Sequence, residues 1–191
     1  MICGFGLSAD ATARIRRGSV AAPTVRARLR VLAAALVLVV FGFAQMRPAQ
    51  ANTLALASAA WAKGDYVRAV NILTPLALRG NANAQAFLGF MYENGFGAPQ
   101  AYDAAADLYF QAATRGNPFA QCMLGLMYDK GHGVPQDFIL AYKWLNLAAA
   151  GASKRQREYY LRLRNAVASK MSADQIVVGQ RLALLWVPPG R

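Results

Sequence analysis

A chain of 191 residues has room for one ordinary domain with a core of its own. Its composition is 56% hydrophobic, rich in alanine and leucine and poor in β-branched runs, which disfavours a sheet protein and favours helix. The formal charge of +12 is unevenly placed: seven arginines and one aspartate lie before residue 52, so half of the excess belongs to the N-terminal segment.

That segment, 1–51, reads as an export signal. Arg26, Arg28 and Arg30 precede the apolar run VLAAALVLVVFGF, Val31 to Phe43. Thirteen helical residues reach roughly 20 Å, short of the ~30 Å of a hydrocarbon core, so a permanent anchor is disfavoured. Ala49-Gln50-Ala51 then supplies the small-x-small pattern of a signal-peptidase site. No cysteine stands there for lipid attachment. Arg16-Arg17 lies too far from the apolar run for a twin-arginine signal, and the long stretch before it points to a true translation start near residues 20–25. Cleavage after Ala51 leaves fourteen Lys/Arg against eight Asp/Glu and a single cysteine, Cys122, which excludes an intrachain disulfide in the mature part. Cys122 sits in a helical pattern with nothing nearby to lower its pKa, so it reads as a buried, inert thiol. Export also removes nucleic acid as an everyday partner.

Residues 52–82 form a first helical pair that turns through AKGDY and caps the N-terminal side. From Ala84 the chain repeats itself thirty-six residues on: AQAFLGFMYENGFGAPQ becomes AQCMLGLMYDKGHGVPQ at Ala120. Two units follow, 83–118 and 119–152. In the first helix of each, Ala84, Leu88 and Tyr92 in one copy and Ala120, Leu124 and Tyr128 in the other fall at helical spacing and make an apolar face. Gly89 and Gly125 stand mid-helix at a cost of about 1 kcal/mol each relative to alanine, which implies close approach of a neighbouring helix. The connecting loops hold Gly95, Gly97 and Pro99, then Gly131, Gly133 and Pro135, whose glycines permit positive φ. The second helices carry Ala105, Leu108 and Ala112, then Ala141, Trp144 and Ala148, with Leu108 and Trp144 expected to fill the gap between helices. Beyond Gly151 the period is lost to the eye. In the helix that follows, Tyr159, Leu163 and Ala166/Val167 are expected on a buried face and Arg155, Glu158, Arg162 and Asn165 on the solvent side, with Glu158 and Arg162 as an i,i+4 pair. SADQ, Ser172 to Gln175, is a capping box that opens a last helix, Ala173 to about Trp186. Residues 153–191 are thus expected to form a C-terminal helical cap with one polar face.

The pattern A-x-x-x-L-G-x-x-Y-x-x-G-x-G-x-P-Q, followed by the small residues of the second helix, resembles the Sel1-like repeat, a relative of the tetratricopeptide repeat. The resemblance implies an all-α protein, an α/α solenoid of helical hairpins, whose members mostly scaffold other proteins. In such solenoids the first helices of successive units line one continuous binding face. The residues expected to contact a protein partner are therefore the non-consensus positions there: Phe90, Glu93 and Asn94, with Leu126, Asp129 and Lys130.

Chemistry has little to stand on. His132, the one histidine, is replaced by Phe96 in the preceding unit, so it reads as a solvent-facing loop residue, and no metal or cofactor site is expected. The Gly-x-Gly loops lack the third glycine, the Walker lysine and the preceding strand of phosphate loops. Glu93 and Asp129 stand at equal repeat positions with no partnered nucleophile, and read as acidic groups bound to a neighbouring polar group. The expected function is that of an exported, non-catalytic adaptor of the cell envelope, in the periplasm or secreted. Two alternatives stay open. One is β-lactam binding or hydrolysis, linked to cysteine-rich relatives of this repeat, although this chain lacks their paired cysteines and any Ser-x-x-Lys motif. The other is contact with an anionic membrane surface through Lys154, Arg155, Arg157, Arg162 and Arg164, with Lys170 beside them.

Overall fold

In the computed structural model, which describes residues 52–187, each helix of the repeats starts and stops on residues that satisfy its end groups. Asn81 and Asn117 accept the backbone N–H of Ala84 and Ala120 at 3.0 and 2.9 Å, capping the first helices α3 (Ala82–Asn94) and α5 (Pro118–Lys130). Both helices end at a left-handed glycine, Gly95 at φ 70° and Gly131 at φ 71°. The loop glutamine then returns to the helix it follows: Gln100 and Gln136 donate Nε2–H to the carbonyls of Glu93 and Asp129, each at 2.7 Å. The Pro-Gln of the loop therefore closes two C-terminal carbonyls that the helices leave open.

The described residues hold eight helices and no strand: α1 (52–62), α2 (Tyr66–Leu78), α3, α4 (Tyr102–Thr114), α5, α6 (Phe138–Gly151), α7 (Lys154–Ala168) and α8 (Ala173–Leu184). They pair as hairpins α1/α2, α3/α4 and α5/α6, an all-α helical-repeat solenoid. Among the described residues, no helix is long and apolar enough to cross a membrane. The export segment, its Ala49 and Ala51 and the translation start lie outside the described residues.

The mid-helix glycines do what their recurrence implies. A Cβ on Gly89 would lie 3.0 Å from the Tyr109 ring, and one on Gly125 would lie 2.8 Å from Leu145 Cγ and 3.1 Å from the Ala141 carbonyl. Hence the backbone of each first helix rests directly on the second helix of its own hairpin. Ala105, Ala112, Ala141 and Ala148 are fully buried at that contact. The large buried residue between α3 and α4 is Tyr109, not Leu108 as the spacing suggested; Leu108 is half-buried and packs toward the core of the preceding hairpin. Trp144 is buried as expected.

A second contact joins successive hairpins through the loops. Gly97 and Gly133 take φ 73° and 66°, and a Cβ on either would strike backbone at the start of the preceding second helix, Tyr66 or Tyr102. Gln85 and Gln121, both buried, complete the junction by donating to the carbonyls of Ala77 and Ala113 at 3.0 and 3.1 Å. No described buried side-chain polar atom is left without a partner.

The C-terminal part corrects three expectations. The period does not stop at Gly151: first helices begin at Ala82, Pro118 and Lys154, and second helices at Tyr102, Phe138 and Ala173. Only the residue types change, so Tyr160 occupies the place of Leu124 and is buried with Val167, while Tyr159 and Ala166 are exposed. The buried face of α7 is therefore turned by one residue from the face expected. Glu158 and Arg162 are both exposed and form no ion pair; α7 is tied instead by Lys170 to Asp129 at 2.8 Å. Ser172 and Gln175 form the expected capping box, but α8 ends at Leu184 and Trp186 folds back to 6.2 Å from Trp144. The α7–α8 connection is four residues, 169–172, against seven in the repeats. Without the glycine loop α8 leans on α6, where Gly179 lies against Tyr142 and Ile139. Its outer side is apolar rather than polar, with Val177, Val178, Leu184 and Leu185 exposed.

Candidate functional site

Helices α3 and α5 are apolar on two sides, and this positions the site. One side, Ala84-Leu88-Met91 and its copy, enters the core. The other lies one residue earlier in the helical cycle: Asn83, Phe87 and Phe90 on α3, and Phe119, Met123 and Leu126 on α5. These six line two adjoining grooves on the first-helix face. The larger, about 560 Å³, is formed by Trp61, Asn83, Ala86, Phe87, Phe90, Asn117 and Phe119. Trp61 anchors it, with ring centroids 5.4 Å from Phe87 and 5.7 Å from Phe90, and Phe90 reaches Phe119 at 6.4 Å. Asn117 donates to Asn83 Oδ1 at 2.9 Å and leaves amide groups at the rim. The second groove, about 340 Å³, shares Phe119 and continues over Cys122, Met123 and Leu126 to Arg155, Gln156, Tyr159 and Tyr160 of α7.

The stripe persists into α7 in the same register. Thirty-six residues beyond Phe119, Met123 and Leu126 stand Arg155, Tyr159 and Arg162. The face thus runs from aromatic, through aliphatic, to cationic. The charge of the whole described part follows this order, with five Lys/Arg against six Asp/Glu in 52–142 and eight against two in 143–187. Several of the eight are engaged: Lys170 by Asp129, Arg164 by Asn146 at 3.1 Å, Arg157 by the Ala149 carbonyl at 3.2 Å. Arg155 and Arg162 are exposed and make no hydrogen bond or ion pair among the described residues.

Of the residues expected to contact a partner, Phe90 and Leu126 line these grooves. Glu93 does not: it accepts the Tyr109 hydroxyl at 2.8 Å. Asn94 donates to the Phe90 carbonyl, and Asp129 holds Lys170. Lys130 is exposed at the end of α5, away from both grooves. Trp61, Asn83, Phe87, Asn117, Phe119, Arg155 and Tyr159 were not foreseen. Their signal was available, since Phe87, Phe90, Phe119, Met123 and Leu126 are apolar residues outside the consensus at i, i+3 and i+4 spacing.

Titratable groups are placed for packing. Burial pushes the Cys122 thiol up to about 12, and burial, followed by the nearby Glu93, raises Tyr109 well above the ordinary tyrosine value. Burial lowers Lys143, which lies 4.5 Å over the Trp144 ring. His132 is exposed, yet its ring stands 4.9 Å from Tyr102 just as Phe96 stands 5.0 Å from Tyr66. Its position therefore asks for a flat ring against the preceding unit, a constraint the His/Phe exchange concealed.

Residues 82–117 and 118–153 each match the Sel1 repeat. The fold resembles the crystal structure of c5321, a protective antigen of uropathogenic Escherichia coli strains displaying an SLR fold, at TM-score 0.65 and 25% identity over 70% of this chain and 29% of that one. It also resembles a Sel1 repeat protein from Oxalobacter formigenes at TM-score 0.56 and 23% identity, over 68% and 54% of the two chains. The chain spans less than a third of the first protein and about half of the second. No curated protein matches. Sel1 repeats commonly serve as protein–protein interaction scaffolds. With two matched repeats in hairpins joined by their glycine loops, this chain is a Sel1-like repeat protein.

Proposed function

We propose that this protein is a non-catalytic adaptor of the cell envelope, exported by its N-terminal segment, that holds an extended segment of another protein along the α1/α3/α5 face. The observation that carries the reading is the aromatic groove of Trp61, Phe87, Phe90 and Phe119, left open beside a core that is already complete. Apolar surface rimmed by amides is what a partner's side chains desolvate on binding. The arginine-flanked second groove extends the same surface.

A β-lactam hydrolase needs an activated nucleophile, and none stands near either groove. Cys122 is buried, and the Glu93 carboxylate is taken by Tyr109.

The test is photo-crosslinking in the native host. A benzophenone side chain placed at Asn83 or Met123 is expected to give defined protein adducts. The same group at Val67, exposed on α2, is expected to give none. Adducts at Val67 alone, or at no position, contradict the assignment. Export is checked separately with a C-terminal alkaline phosphatase fusion, expected to be active with residues 1–51 present and inactive without them.

A further inference from the structure

We infer that the segment held by this face is acidic at one end: it carries a bulky apolar side chain for the Trp61–Phe90 groove and acidic side chains for Arg155 and Arg162. The inference rests on the adaptor reading and specifies the partner it takes.

Three observations carry it. The two grooves share Phe119, so a single extended chain passes from one to the other without leaving the surface. The apolar groove is uncharged along its walls, while its continuation is flanked by Arg155, with Arg162 one turn beyond Tyr159 on the same side of α7. Both guanidinium groups are exposed and unpaired among the described residues, unlike Arg164 and Lys170, which the fold engages. A guanidinium presents a planar fork that suits a carboxylate. Charge also argues against the chain's own N-terminal segment as occupant, since residues 1–51 hold seven arginines and one aspartate.

Geometry sets the spacing. Neighbouring packed helices lie about 9 Å apart, so α3 and α7, separated by α5, are roughly 18 Å apart. An extended chain advances about 3.3 Å per residue, which places the acidic group some five or six residues from the apolar anchor.

The experiment is fluorescence anisotropy of the full chain with fluorescein-labelled peptides. Each peptide has a Trp-Leu anchor and a Glu-Glu-Asp group six residues away, in both chain orders. Control peptides replace the acids by Gln-Gln-Asn or by three lysines. The expected result is that one acidic peptide binds at least tenfold more tightly than its amide control. The double variant R155E/R162E, with unchanged circular dichroism, is expected to lose that preference and favour the lysine peptide. Equal affinity for acidic, amide and lysine peptides overturns the acidic assignment and leaves the groove reading intact. Binding of no peptide overturns both. Two further results also overturn it: vesicles of phosphatidylglycerol bound through the same two arginines with the peptides ignored, or self-association abolished by R155E/R162E.

Discussion

At the scale of single residues the repeat is written in glycines of two kinds. Gly116 takes φ 83° with open space around it, whereas Gly133 takes φ 66° with the Tyr102 backbone pressed against it. Alanine at Gly116 is therefore expected to cost about 1 kcal/mol, the left-handed penalty alone. Alanine at Gly133 adds a collision with an atom that cannot move aside, and is expected to cost at least ~2 kcal/mol; urea unfolding of the two variants checks the ranking. Tyr109 gives a pH signature. Its hydroxyl donates to Glu93 at 2.8 Å, and burial first, then that carboxylate, raises its pKa. A group raised in the folded state contributes fully below its unfolded pKa of about 10 and loses that contribution as pH climbs through the folded value. Stability is thus expected to fall above about pH 10, less steeply in Tyr109→Phe, as melting temperatures against pH measure. Cys122, held in the thiol form by burial, is expected to resist iodoacetamide at pH 8 until the chain unfolds, as peptide mapping shows.

At the scale of elements, α7 decides what sequence can reveal. Tyr160→Ala is expected to cost about 3 kcal/mol by opening the α5–α6–α7 core, and Tyr159→Ala less than about 0.5, in chemical denaturation. The reverse ranking would restore the face that spacing alone suggested. The two central repeats were legible because a glycine forced by a backbone contact, or an alanine at a helix crossing, admits no substitute, so identity survives copying. The register of α7 was not legible, because burial there passes to Tyr160 and Val167 while the consensus letters vanish. The groove stripe was hidden for another reason. Helices α3 and α5 bury one apolar side and expose a second, and two opposed apolar faces blur the periodicity that marks a single one. The acidic pair Glu93 and Asp129 was legible as bonded to neighbouring groups, but not which: a tyrosine hydroxyl within the same hairpin for one, a lysine seated on the connection after α7 for the other.

At the scale of the whole described part, residues 52–187, the chain is polarised along its order of helices. The first two-thirds are nearly neutral and carry the aromatic groove, and the last third carries the surplus of positive charge. Arg155 and Arg162 are solvent-exposed, so their attraction for an acidic segment is screened over about 8 Å at physiological ionic strength. Affinity for such a segment is expected to fall as salt rises from 50 to 500 mM, while the contribution of the aromatic anchor persists. The exposed valines and leucines of α8 lie on a different element from this path, and the same experiment separates the two surfaces. Hydrogen–deuterium exchange of the full chain, with and without the acidic anchor peptide, tests the central claim most directly. Slowed exchange confined to 83–90, 119–126 and 155–162 is the predicted result; protection confined to 173–187, or none anywhere at saturating peptide, would contradict it.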